Sequence, residues 1–216
     1  MSGSEPVVFP CGELSLEGCV HRPGSGASRG GAVVCHPHPE HGGTMHHPVV
    51  VALAAALTAA GFVALRFNFR GVGRSQGRHG GGGPEGQDLA AALERAAREA
   101  GPDAPLVLAG YSFGAWVAYP VACADPRVRA VLCVAPPLAL LPMPAVVPSP
   151  VARWFALGDR DEFCSPGTFR EWYRAQDDPK EYLALPGAGH FLAGREAAVG
   201  AAAAGFAAVH LGGALP

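Results

Sequence analysis

One stretch of this chain leaves little freedom in how it can fold. Leu106-Val107-Leu108-Ala109 is short and uniformly apolar, the pattern of a strand buried on both faces. Ala115 to Ala124 has the length and composition of a helix. Between them stand Gly110-Tyr111-Ser112-Phe113-Gly114, with no residues to spare for a loop. The chain must therefore turn sharply, and the two glycines allow the backbone to pass close to its neighbours. The serine at the apex is lifted above the sheet at the helix N-terminus. There the helix dipole and free N–H groups face any bound ligand. The five-residue pattern alone would not carry this reading, because the chain holds 30 glycines in 216 residues. A second copy, Gly73-Arg74-Ser75-Gln76-Gly77, runs into the Gly-rich stretch Arg78 to Pro84, where no helix follows. Only Ser112 has the helix that the geometry needs.

Around this turn, strand and helix patterns alternate. Leu14 to His21 reads as a strand, and a Gly/Ser loop runs on through Gly30. Gly31 to Cys35 is a short buried strand ending at His36. Pro48 suits the first position of a helix, Val49 to Ala60, and Gly61 suits the position just past its end. Phe62 to Phe69 is predicted as a strand and Pro84 to Ala100 as a helix. Strands Ala130 to Ala135, Arg153 to Leu157 and Glu181 to Leu185 follow, with helices Thr168 to Gln176 and Phe191 to Leu211. Apolar strands without strict alternation imply a mainly parallel sheet covered by helices on both faces. The fold class is thus α/β, three layers in one domain spanning 1–216. Ligands in such sheets bind beyond the carboxyl ends of the strands. His36, Ser112, Asp161 and His190 all fall just after predicted strands, so they gather at one edge. Pro136 to Pro150 joins two strands at that edge and is too short and too broken by proline for more than a minimal cap. A rigid connection and a substrate-lining segment remain equally open for it.

Composition excludes several partners. A net charge of −2 leaves no basic footprint for nucleic acid. Arg66, Arg70, Arg74 and Arg78 recur every fourth residue, but the intervening glycines argue against a helical face. They read as scattered solvated or ion-paired arginines. The uncharged run Val49 to Leu65 is divided by Gly61 and is at the short limit for a membrane span. Met1 to Pro6 has no basic or apolar region of a signal peptide. Six scattered cysteines without a C-x-x-C pair read as reduced buried thiols and fit a cytoplasmic location. A homodimer stays open.

A serine hydroxyl is a poor nucleophile near neutral pH and needs a base beside it. His190, in the loop Gly187-Ala188-Gly189-His190-Phe191, is the candidate. A carboxylate must orient that imidazole, and Asp159, Asp161 and Glu162 follow the strand before it. Asp161 is preferred. Asp159, next to the strand end, reads better as a turn cap and stands second. The oxyanion formed on attack needs two donors. The Phe113 N–H is the first, as the residue after the nucleophile. The second should come from His36-Pro37-His38-Pro39-Glu40-His41-Gly42-Gly43, where Pro37 and Pro39 have no N–H and His38 does. Gly42 and Gly43 would let this loop pass close to a ligand.

That loop also supports a rival reading. His36-x-His38-x-Glu40-His41 nearly spells the H-x-H-x-D-H metal loop of metallo-β-lactamase-like hydrolases, and His46, His47 and His79 are near in sequence. Two prolines and the altered acid count against it. A non-catalytic binding module on the same fold is a third reading.

Three motifs together carry a resemblance. They are His36-Pro37-His38-Pro39 with Gly42-Gly43-Thr44-Met45, the run Leu65-Arg66-Phe67-Asn68-Phe69-Arg70-Gly71-Val72-Gly73-Arg74-Ser75, and Gly110-Tyr111-Ser112-Phe113-Gly114. From about Gly31 to Phe191 the chain resembles the small lidless bacterial α/β-hydrolases related to dienelactone hydrolases. Ser112 stands where dienelactone hydrolases proper carry cysteine. The resemblance implies a serine hydrolase with Ser112, an acid on the Asp161 loop and His190, and it makes Ser75 part of a structural turn. The expectation is a carboxylesterase-type enzyme that needs no cofactor or metal. It would cleave esters or thioesters of small acyl groups through an acyl-enzyme.

Overall fold

The computed structural model describes residues 3–24, 28–143 and 148–211. Parts of the Gly/Ser loop before Gly30 and of Pro136–Pro150 therefore lie outside the described residues. Among the described residues eight strands form one sheet: β1 (Ser4–Cys11), β2 (Leu14–His21), β3 (Gly31–Cys35), β4 (Val63–Phe67), β5 (Leu106–Tyr111), β6 (Val128–Val134), β7 (Ala152–Gly158) and β8 (Lys180–Leu185). Their order is β1-β2-β4-β3-β5-β6-β7-β8. Pairing is parallel from β4 to β8, while β1 and β2 join antiparallel at one edge. Among the described residues five α-helices cover it: α1 (Pro48–Ala59), α2 (Gly83–Ala100), α3 (Phe113–Ala124), α4 (Pro166–Arg174) and α5 (Glu196–Leu211).

Two apolar cores explain the three layers. One joins α2, α3 and Phe169 of α4 to side chains such as Val33, Leu65, Leu108 and Phe155. The other joins α1 and α5 to the alternate residues of the same strands, such as Val34, Ala64, Ala109 and Trp154. The central strands β3, β4, β5 and β7 are buried at every residue, as expected for a sheet covered on both faces. Helix boundaries follow local chemistry. Pro48 opens α1, and His47 caps it by accepting the Val49 N–H at 3.3 Å. Gly61, at φ +97, turns the chain out of α1 toward β4. On α5, a Cβ at Gly200 would lie 2.8 Å from the Ala52 carbonyl of α1, so glycine sets the close packing of these two helices.

The structure departs from the sequence-based expectations at three points. Ser4–Cys11 forms a strand that the sequence reading did not assign. The last helix starts at Glu196 and not at Phe191, because Leu192 (φ 54) and Gly194 (φ +74) first turn the chain. Arg66 is neither solvated nor ion-paired. It is buried, donating to His21 Nε2 at 2.9 Å and to the Met45 carbonyl at 2.9 Å. Arg70 and Arg74 do form ion pairs, with Asp88 at 2.7 Å and Glu17 at 2.9 Å. All six cysteines are free thiols. No helix among the described residues is long and apolar enough to cross a membrane.

Candidate active site

Register brings the carboxyl ends of the parallel strands together. Cys35 of β3 pairs with Gly110 of β5, and Gly158 of β7 pairs with Leu185 of β8. The loops that leave these ends carry His36–Gly43, Ser112, Asp161 and His190.

Ser112 sits between β5 and α3 with φ 55 and ψ −119, a backbone conformation that few non-glycine residues adopt. Its neighbours enforce that conformation. A Cβ at Gly110 would stand 2.3 Å from the Gly114 carbonyl, and one at Gly114 would stand 2.5 Å from the Cys35 carbonyl. The second contact seats the start of α3 against the end of β3. The His36–Gly43 loop therefore begins beside Phe113.

The Ser112 hydroxyl lies 2.9 Å from His190 Nε2. On the other side of the ring, His190 Nδ1 lies 3.0 and 3.1 Å from the two Asp161 oxygens. A carboxylate can only accept, so Nδ1 carries the proton and Nε2 is free to accept from Ser112. Asp161 is itself held by the amides of Phe163 at 2.8 Å and Cys164 at 3.0 Å. Ser112, Asp161 and His190 are all buried from bulk water. Asp159 takes no part, since its side chain accepts the Gly187 N–H at 2.7 Å and closes the following turn.

Three supports for the imidazole carried no sequence signal of that role. Glu162 accepts the His190 backbone N–H at 3.1 Å, and its own amide together with that bond holds its carboxyl below the usual range. The Tyr111 hydroxyl donates to the His190 carbonyl at 3.1 Å, with the two rings stacked. Phe163 packs edge-on against the ring at 4.7 Å. Burial, with Asp161 and Glu162 nearby, pushes the Tyr111 phenol upward, so it stays a neutral donor.

The His36–Gly43 loop is a closed turn. The His38 carbonyl accepts from the His41 and Gly43 amides at 3.1 and 3.0 Å. A Cβ at Gly43 would lie 2.0 Å from the Pro37 carbonyl, so this glycine serves loop closure. The His38 ring rests 5.0 Å from the Phe113 ring. Burial, then His79 and His41, hold the His38 imidazole below its ordinary value. His36 turns inward. Its Nδ1–H donates to the Pro37 carbonyl at 2.6 Å, and its Nε2 accepts the Phe69 N–H at 3.1 Å. Both nitrogens are used and the ring is fully buried, so the H-x-H-x-E-H pattern is not assembled as a ligand set. Among the described residues, the histidines and acids that do converge here are His38, Glu40 and His79.

Beside Ser112 lies a cavity of about 590 Å³. Pro137, Leu140, Leu141, Phe163 and Phe191 form an apolar wall, and His38, His41 and His47 face it. The described part of Pro136–Pro150 thus lines the cavity as well as connecting two strands. Trp116 Nε1 anchors it by donating to the Pro142 carbonyl at 3.0 Å. Ser75, the other serine in a G-x-S-x-G pattern, is buried far along the chain from these groups. Its hydroxyl donates to the Asn68 carbonyl at 2.7 Å and accepts the Glu17 N–H at 3.0 Å.

Residues 26–157 match the protein family described as serine aminopeptidase, S33 (Hydrolase_4). The chain belongs to this family. An α/β serine hydrolase homologue from Coxiella burnetii is 33% identical, with a TM-score of 0.82 over 94% of this chain and 97% of that one. An α/β serine hydrolase without lid from Xanthomonas campestris is 30% identical, with a TM-score of 0.88 over 100% of this chain and 98% of that one. Protein RP471 of Rickettsia prowazekii is 31% identical over 170 residues, 74% of this chain and 71% of its own length. The chain is an α/β serine hydrolase of the lidless kind.

Proposed function

We propose that the chain hydrolyses carboxylic esters or thioesters of small acyl groups through an acyl-enzyme. The observation that carries this reading is the continuous contact from the Ser112 hydroxyl through His190 to Asp161. Ser112 Oγ attacks the acyl carbon while its proton passes to His190 Nε2. Asp161 accepts from Nδ1–H throughout and stabilises the imidazolium that forms. The backbone N–H groups of Phe113 and His38 hold the oxyanion. Collapse breaks the bond to the leaving alcohol or thiol, which takes the proton from His190. Water then repeats the sequence on the acyl-Ser112 ester, releasing the carboxylic acid and returning the proton to Oγ.

The cavity wall supports a neutral substrate. Its described lining holds no carboxylate that could pair with the free α-ammonium of a peptide, so ester cleavage is favoured over aminopeptidase action. Leu140 and Phe191, on that wall, are 61% and 63% exposed. A long acyl chain would leave its distal carbons in water, without the burial that favours binding. Turnover of a butyryl ester is expected to exceed that of a palmitoyl ester; the reverse order would refute the small-acyl assignment.

Labelling with a fluorophosphonate probe tests the mechanism, comparing the unmodified chain with Ser112→Ala, each with and without a chelator. Labelling that requires Ser112 and survives the chelator is the expected result. Absence of labelling, with ester hydrolysis that the chelator abolishes, would overturn the serine mechanism in favour of a metal.

A further inference from the structure

We propose that His38, Glu40 and His79 form a site for a divalent transition-metal ion, zinc by its donor set, at the rim of the cavity, and that an ion bound there inhibits the enzyme. The site itself stands on the geometry of these three side chains. Its inhibitory effect rests on the hydrolase reading given above.

The three residues come from two loops that the fold brings together. His38 and Glu40 follow β3, and His79 lies in the loop between β4 and α2. The two imidazoles are 4.9 Å apart, and both pack against the Phe113 ring, at 5.0 and 5.4 Å. One ligand atom from each of the three side chains lies within 4.8 Å of the other two. A tetrahedral zinc ion with bonds of about 2.0–2.1 Å needs donors about 3.4 Å apart. The remaining closure is on the order of 1 Å, and Glu40 is exposed and free to swing.

His79 has a partner of the kind that metal-binding histidines use. Its Nδ1 is 2.9 Å from Oε1 of Glu85, a contact close enough for an ion pair but poorly aligned for a hydrogen bond. Glu85 is fully buried and fixed by the amides of Gly80 at 2.8 Å and Gly82 at 2.6 Å. A small rotation of the ring would let Nδ1–H donate to Glu85, the arrangement that orients the other ring nitrogen toward a metal. Coordination through His38 Nε2 would shift its ring proton to Nδ1 and give up only the long bond from the Glu40 N–H at 3.3 Å. Two imidazoles and one carboxylate, with a water as fourth ligand, suit zinc better than magnesium or calcium, which favour all-oxygen sites.

Inhibition follows from where the site lies. His38 also lines the cavity that holds Ser112. An ion and its water on that ring would narrow the mouth and fix the loop whose His38 amide is assigned to the oxyanion. The nucleophile remains Ser112, so removing the ion should raise activity.

Binding is measured on Ser112→Ala, which keeps the site whether or not the chain hydrolyses esters. Co²⁺ is titrated by its visible absorption and Zn²⁺ by calorimetry, in that background and with Glu40→Gln or His79→Gln added. One ion per chain is expected, with tetrahedral Co²⁺ absorption and at least about ten-fold weaker affinity in each variant. No stoichiometric uptake, or affinity unchanged by Glu40→Gln, would overturn the site; the exposed Glu40 variant keeps the test valid should His79→Gln fold poorly. In the catalytically intact chain, Zn²⁺ should depress ester turnover, and Glu40→Gln should resist it with unchanged ion-free activity. Turnover indifferent to a filled site, or abolished by a chelator, would overturn the inhibitory role.

Discussion

Ser112 and Ser75 stand in the same five-residue pattern and do opposite work. At Ser112 the residues on either side are a buried strand and a helix, so the turn is forced into a positive φ and the hydroxyl meets an imidazole. At Ser75 the flanks are loop, and the hydroxyl is consumed by two backbone partners, the Asn68 carbonyl and the Glu17 N–H. The glycines differ in the same way. Those at 110 and 114 make room for backbone, whereas a Cβ at Gly73 would meet Glu17 Oε1 and Asn68 Nδ2. Glu17 Oε1 also accepts the Asn68 side-chain amide at 2.8 Å and the Arg74 N–H at 2.7 Å, so the second turn is a buried polar knot. A short pattern therefore specifies where backbones pass closely. The surrounding elements decide whether its serine is left free to react.

The widest separation between the two serines should appear in catalysis. Ser112→Ala should lower kcat/KM by on the order of 10⁴-fold or more, with little change in stability. Ser75→Ala should keep turnover within a few-fold but destabilise the fold by about 2 kcal/mol, because it strands a buried N–H and a buried C=O. Ester kinetics and urea unfolding on both variants check the pair. Equal loss of turnover at the two positions would dissolve the distinction drawn here.

The two aspartates of the β7 loop extend the comparison to orientation. Asp161→Asn should lower kcat by about 10³–10⁴-fold, since an amide can present an N–H to His190 and favour the wrong tautomer. Asp159→Asn should stay within a few-fold, because the amide oxygen can still accept the Gly187 N–H. A larger effect from Asp159 would move the acid of the proposed triad to that residue.

How much of this could be read from the chain alone depends on how local the causes are. That Ser112, Asp161 and His190 meet is legible because each follows an apolar strand, and a parallel sheet collects such positions at one edge. The Asp161 preference rested on the turn-capping habit of a residue next to a strand end, and Asp159 does cap that turn. What escaped was non-local. Ser4–Cys11 contains Pro6 and Pro10 and buries only alternate residues, so it becomes a strand only by pairing with β2 at the sheet edge. Arg66 looks like one of a row of surface arginines until β2 and the residue after Thr44 close around it. The inward turn of His36 depends on Phe69, thirty-three positions away. The approach of His79 to His38 and Glu40 depends on two loops, after β3 and after β4, meeting over the Phe113 ring.

His36 joins the two regions, and its titration gives the smallest of the expected effects. Its ring links the loop that carries the His38 amide to Phe69, beside the Asn68–Ser75 knot. Burial, aided by His47 and His79 and opposed by the Pro37 carbonyl, lowers its pKa from 6.5 to about 4. Protonation would put a second N–H against the Phe69 N–H, which has no other partner on that side. The unfolded chain therefore binds this proton more readily than the folded chain between those two values. Stability from His36 is fully present above about pH 6.5 and is lost progressively as pH falls toward about 4. At about pH 5.5 the loss should be on the order of 1 kcal/mol from this residue alone. Urea unfolding of the unmodified chain and His36→Gln, at about pH 7.5 and 5.5, isolates it from the carboxylates that both share. The variant should be less stable at the higher pH but lose less on acidification. Equal acid losses would mean that the knot and the His36–Gly43 loop are not joined through a neutral imidazole.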